Sequence, residues 1–286
     1  MKIIKYFFEF IFIIIFFIIF KIIGYKNATN LGEKIGRLVG PLFRSNHKIQ
    51  LNLKNSNIGN TDKDRKNITK KMWGNYGRIF AEYMYIKKFR KNNLSKNVEI
   101  IGEKILEEIK NKNKPVIFIS GHFNNFELMA MYIEKSGIEL AAIYRPLNNK
   151  FLNPIMENIR KKYICQKQIK KGISGTKEIL KFFKQGTSIA LMIDQRVSEG
   201  IESNFFNRKA LTTTIPAQFV KKYNCKIVPV YIERKEKYNF RLEILDPVEF
   251  SKNEKIEKIT DKLNNILEKL IIKNPDQWIW THNRWK

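Results

Sequence analysis

From residue 98 onward, short apolar runs alternate with helical patterns, and this alternation limits the possible folds more than any other feature of the chain. Residues 98–101, 116–120, 140–144, 188–193, 227–232 and 240–245 have strand character, and the run VIFIS at 116–120 is apolar up to Ser120. Helical stretches lie between most of them, at 126–135, 151–163, 176–184 and 216–223. Strands separated by helices need crossover connections, so the pattern predicts an α/β domain with a largely parallel central sheet flanked by helices. A last helix is expected after Ser251 and Glu254, which form a capping-box pattern. Ile256, Ile259, Leu263, Ile266, Leu267 and Leu270 would make its apolar face. Upstream, 30–43 is expected as a short helix ending at Gly40-Pro41. Residues 65–89 form a longer one, where Ile68, Met72, Tyr76, Ile79, Phe80 and Tyr83 recur at three- and four-residue spacing.

Residues 6–20 read YFFEFIFIIIFFIIF, with Glu9 the single charge, and Ile22 and Ile23 extend the run past Lys21. As a helix, 6–23 would be about 27 Å long, close to the roughly 30 Å of a hydrocarbon core. The following KIIGYKNA has no small-residue cleavage pattern of the kind that ends a signal peptide. A retained membrane anchor over 1–25, a transmembrane or monotopic helix, followed by one main domain over 26–286, is the organisation expected. Lysines flank both ends, so orientation is weakly determined.

The 286 residues carry a net charge of +27, and 42 of the 54 basic residues are Lys. Such a balance fits an anionic membrane face or an acidic partner, although lysine use across a whole genome produces it too. No zinc-finger spacing or RNA-binding aromatic motif supports a nucleic-acid partner. Two cysteines, Cys165 and Cys225, make no disulfide framework, and with three histidines (His47, His122, His282) they make no zinc pattern. No phosphate loop of the Walker or dinucleotide type occurs, and no cofactor is expected.

The residues with chemistry to offer lie just past the strand at 116–120. His122 stands in a turn with Gly121, Asn124 and Asn125, and Glu127 opens the next helix. In an unbroken helix, residues five apart point about 140° away from each other. With the histidine on the turn and the acid in the first helical turn, the two side chains can converge. The carboxylate would then fix the imidazole tautomer and stabilise its protonated form, the arrangement used to take a proton from a hydroxyl. A single H-x4-E match is a weak signal, because a histidine satisfied in a turn and a glutamate at a helix start give the same pattern. Ser120 does not sit in a G-x-S-x-G elbow. Cys165 lies in a Lys-rich stretch with no nearby histidine.

Four blocks in order carry a resemblance. They are PVIFISGHFNNFEL, then IYRPLNN with its following helix to Arg160, then DQRVSEGIESNFFNRKALTTTIPAQFVKKYNCKIVPVYIER, then DQWIWTHNRWK. Together they resemble the late lipid A (lipopolysaccharide) biosynthesis acyltransferases of Gram-negative bacteria, the lauroyl/myristoyl type, from about Leu31 to the C-terminus. Asn124-Asn125-Phe126 stands where relatives often have Gly-Asn-Trp. Asn207 replaces a frequent Gly, and Asn283 interrupts a commoner His-Arg-Arg run. The resemblance implies a glycerolipid-acyltransferase-like fold, with His122 as general base and Glu127 as the residue that orients it. Asn125, Arg145, Arg160, Asp194, Gln195 and Arg196 are the substrate-binding candidates it implies, Arg145 and Arg160 toward phosphate, which a planar guanidinium binds bidentately. Surface ion pairs would explain those two arginines as well, and ordinary packing would explain Trp278, Trp280 and Trp285. The implied donor is acyl carrier protein, the acceptor a lipid A precursor, and the location the cytoplasmic face of the inner membrane. Acylation of another glycolipid or a lysophospholipid, or a non-catalytic basic protein of the membrane surface, are the alternatives.

Overall fold

The computed structural model describes residues 2–285. Five helices come first: α1 (Lys2–Ile23), α2 (Tyr25–Phe43), α3 (Asn46–Asn55), α4 (Asp62–Glu82) and α5 (Ile86–Arg90). The chain continues through β1 (Val98–Ile101), α6 (Glu103–Lys112), β2 (Ile117–Ser120), α7 (Glu127–Lys135), β3 (Leu140–Tyr144), α8 (Asn153–Ile159) and β4 (Lys167–Lys170). Then follow α9 (Ile173–Lys184), β5 (Ser188–Met192), β6 (Ile201–Phe205), β7 (Arg208–Thr212), α10 (Ile215–Tyr223), β8 (Ile227–Glu236), β9 (Asn239–Ile244) and α11 (Ile256–Lys273).

Seven strands form one sheet in the order β1-β9-β8-β2-β5-β3-β4, and only β8 with β9 is antiparallel. The α/β class and the mostly parallel sheet read from the alternation are therefore those of the protein. The centre of the sheet is covered on both faces, which is why β2 is buried at every position. β4 and the β6–β7 hairpin escape the sequence pattern. β4 is KQIK, with Ile169 its single buried residue. The hairpin turns on Phe206-Asn207, both in the left-handed region, so Asn207 takes the backbone angle that glycine would otherwise supply.

Three further differences from the sequence expectations have local causes. Ser251 and Glu254 do not cap α11, whose N-cap is Lys255 with no side-chain cap; they form a backbone turn ahead of it. The capping box sits instead at Thr61 and Asp64, at the start of α4. α2 begins earlier than expected, at Tyr25, and runs past Pro41 to Phe43. Glycines let α2 and α4 pack backbone to backbone. A Cβ at Gly36 would lie 2.2 Å from the Trp73 carbonyl oxygen, and one at Gly77 would lie 1.9 Å from that of Gly32. α1 is long and apolar enough to cross a membrane, and of its described residues Phe17 and Phe20 are buried against the rest of the chain.

Candidate active site

His122 sits two residues beyond the end of β2 and Asp194 two residues beyond the end of β5. The parallel register pairs Ser120 with Met192, so the extension of both strands sets the two side chains next to each other. Asp194 is fully buried. Its Oδ1 lies 2.8 Å from His122 Nδ1, and its Oδ2 accepts from the His122 backbone N–H and from Trp278 Nε1, both at 2.8 Å. A carboxylate on Nδ1 puts the neutral ring's proton there and leaves the lone pair on Nε2. Burial opposes charge on the imidazole, but Asp194 outweighs it, and the His122 pKa lies above its ordinary 6.5. Burial likewise acts to raise Asp194, yet the His122 charge and the three hydrogen bonds hold its pKa at about 2. Gln195 Nε2 stands 3.4 Å from His122 Nε2.

Glu127 is placed differently from the sequence expectation. The carboxylate on the imidazole is Asp194's, while Glu127 Oε1 receives Arg160 Nε at 2.9 Å, Arg160 Nη2 at 2.6 Å and the Tyr83 hydroxyl. The first turn of α7 aims Glu127 at the helices around it. Arg160, expected against phosphate, spends two donors on this buried carboxylate. Burial, and then the Glu127 charge, push the Tyr83 pKa far up, so Tyr83 remains a neutral donor.

Asn125 is a second difference. It is buried and donates to Glu82 Oε2 at 2.9 Å, behind the turn and outside the cavity lining. Glu82 also pairs with Arg234. Asn124 has φ +40° and uses its whole side chain to hold that turn. Its Nδ2 donates to Asn75 Oδ1 and Gln277 Oε1, and its Oδ1 accepts from Asn125 N–H and Arg234 Nη2. A glycine would adopt the angle more easily and make none of these bonds.

His122, Gln195, Glu127 and Arg160 border a cavity of about 420 Å³. Its floor is the sheet. Register aligns Phe118, Ala190 and Ala142 across β2, β5 and β3, and the two alanines leave room beneath Met129, Ala130 and Ile133 of α7. Exposed Arg44, Arg145, Lys170 and Lys171 lie on the lining, so an apolar trough ends in a basic rim. Asp194 itself lies behind His122. The Arg196 backbone N–H donates to His282 Nε2, and His282 lines the same cavity.

The profile of the bacterial lipid A biosynthesis acyltransferases matches residues 1–286. The chain belongs to that family. It is 25% identical over 256 residues to "Lipid A biosynthesis acyltransferase 2" of Shigella flexneri, covering 86% of this chain and 80% of the relative. It is 21% identical over 253 residues to "Lipid A biosynthesis myristoyltransferase" of Escherichia coli (strain K12), covering 86% and 77%. The protein is thus an acyltransferase of lipid A biosynthesis.

Within this acyltransferase, neither Ser120 nor Cys165 offers a rival nucleophile. Ser120 Oγ donates to the Val230 carbonyl at 2.6 Å, and burial, followed by the Glu134 charge, pushes the Cys165 thiol up to about 12. Trp278 was expected as packing. It is packed, but its indole N–H also holds Asp194, a role that no local pattern in DQWIW reveals. Tyr83 and His282 were not singled out either. Tyr83 sat on an apparent core stripe of α4, and its hydroxyl partner lies 44 residues away.

Proposed function

We propose that the protein transfers a fatty acyl chain from acyl carrier protein to a hydroxyl of a lipid A precursor, the 3-hydroxyl of an acyl chain already on the disaccharide. His122 Nε2 takes the hydroxyl proton as the oxygen attacks the thioester carbonyl carbon. The tetrahedral intermediate collapses, the C–S bond breaks, and the imidazolium returns the proton to the departing sulfur. The products are an ester and a thiol, with no net change in protons. Asp194 holds the Nδ1–H tautomer and balances the imidazolium charge during the step. Gln195 is placed to donate to a substrate oxygen beside Nε2. Glu127 acts through Arg160 and Tyr83, tying α7 to the wall of the cavity.

The observation that carries this reading is a half-buried His122, held by the buried Asp194 carboxylate, opening onto a cavity with an apolar floor and a basic rim. That combination suits an acyl chain attached to a phosphate-bearing head, and Arg145, with Arg44 also on the lining, is offered to phosphate. An acidic carrier protein would be drawn to a chain of net charge +27. The lipid A named for both relatives supports the acceptor. Mass spectrometry of lipid A tests it, using a strain lacking the gene, with and without rescue by wild type or His122→Ala. The expected result is loss of one acyl chain, restored by wild type and not by His122→Ala. An unchanged lipid A mass sinks the proposal. Parallel assays with acyl carrier protein and coenzyme A thioesters decide the donor.

A further inference from the structure

Resting on this membrane reading, we infer that α1 lies flat in one leaflet, as an apolar keel under the folded domain, and does not cross the bilayer. Both ends of the helix are pinned to the domain. Near its C-terminus, Phe17 and Phe20 pack on Phe80 with ring centres 5.1 and 5.8 Å away, and the Tyr85 hydroxyl donates to the Phe20 carbonyl. Near its N-terminus, Phe7 and Phe10 pack on Phe151 at 5.6 and 6.0 Å, and Asn149 Nδ2 donates to the Tyr6 carbonyl at 2.8 Å. These anchor points are fourteen residues apart, about 21 Å of helix.

A helix standing along the bilayer normal would carry one anchor point to that depth in a hydrocarbon layer about 30 Å thick. With the Lys21 end at the surface, the loop holding exposed Asn148 and Lys150 would be submerged. With the other end at the surface, Lys21, Lys26 and the start of α2 would be. Charged and polar groups at that depth are strongly disfavoured. Lying flat removes the conflict. The side of α1 away from the domain is a continuous stripe of exposed Ile4, Phe8, Ile11, Ile15, Ile18 and Ile22, at three- and four-residue spacing. Lys2 and Lys5 at one end and Lys21 and Lys26 at the other then reach the same anionic headgroup layer.

Two measurements test this on the full chain. Spin labels on Ile4→Cys, Ile11→Cys and Ile18→Cys, with Cys165 and Cys225 replaced by Ala, report depth in phosphatidylethanolamine/phosphatidylglycerol vesicles. A flat helix puts the three labels at depths that agree within about 4 Å, near the acyl boundary. A spanning helix spreads them over about 21 Å and overturns the inference. Lys2→Cys and Lys26→Cys, probed in cells with an impermeant maleimide, are expected to label from the same side of the inner membrane. Labelling from opposite sides overturns the inference as well. A chain that stays with the soluble fraction and does not bind the vesicles refutes the membrane reading itself, a result distinct from either of these.

Discussion

Two buried carboxylates border the same strand-turn-helix, and they are built for different work. Asp194 faces His122 through a hydrogen-bonded ring nitrogen and takes two further N–H donors, so its charge acts on the imidazole. Glu127 makes its hydrogen bonds to Arg160 and Tyr83, so its charge joins helices and reaches the imidazole only through space, as a smaller contribution than that of Asp194. Sequence proximity favours Glu127 as the partner of His122, five residues away. The sheet favours Asp194, 72 residues away, because β2 and β5 are paired neighbours. A carboxylate earns the role of orienter by contact with the ring, and contact here is a property of register.

Substituting each acid in turn pulls the two roles apart. Asp194→Asn is expected to have the largest effect, a fall in kcat of about 10²–10⁴ with the chain still folded, by analogy with other His–Asp couples. It also shifts the pH profile in a defined direction. The base works only when His122 is deprotonated, and its pKa lies above 6.5, so activity should rise with pH through an inflection above that value. Without the Asp194 charge, burial governs the imidazole and the inflection should move below 6.5. An unmoved inflection would show that Asp194 does not act on the base.

Glu127→Ala should instead show itself in folding. It leaves the largely buried Arg160 without its carboxylate, and breaking such a pair costs up to about 3–5 kcal/mol. The check is a denaturant melt, with the acid limb of the pH–rate profile staying near its wild-type position. If that limb moves as far as in Asp194→Asn, the division of labour fails. Trp278→Phe keeps most of the packing and removes one hydrogen bond to a charged group, worth about 1.5–3 kcal/mol. It should lower kcat about tenfold while KM stays within a factor of about 2, a split readable by steady-state kinetics. Asn124→Gly should have the smallest effect. It relieves the left-handed backbone angle but forfeits the side-chain bonds to Asn75, Gln277 and Arg234, for a net loss of about 1 kcal/mol in a urea titration.

Much of the frame was legible locally. The strands at 98–101, 140–144 and 188–193 match β1, β3 and β5 to within a residue; β3 and β5 lie inside the sheet and read as nearly continuous apolar runs, whereas β1 is an edge strand legible from its β-branched residues around exposed Glu99. β4 and β6 were illegible for the opposite reason. Residues 167–170 hold two lysines around one buried isoleucine, and β6 alternates exposed Glu202 and Asn204 with buried Ser203 and Phe205. The close packing of α2 on α4 depends on small residues, which carry no apolar signal of their own.

By itself, then, the sequence determined the α/β class, the apolar helix at the N-terminus and the placing of His122 on a turn between a strand and a helix. Those features follow from hydrophobic period and local backbone preference, which act over a few residues. Only the tertiary structure decided that Asp194 binds the imidazole, that Glu127 and Arg160 neutralise each other, that Asn125 turns inward to Glu82, and that Trp278 holds the Asp194 carboxylate. Each depends on strand register or on helix packing between segments far apart in the chain, and a local pattern carries no information about those distances.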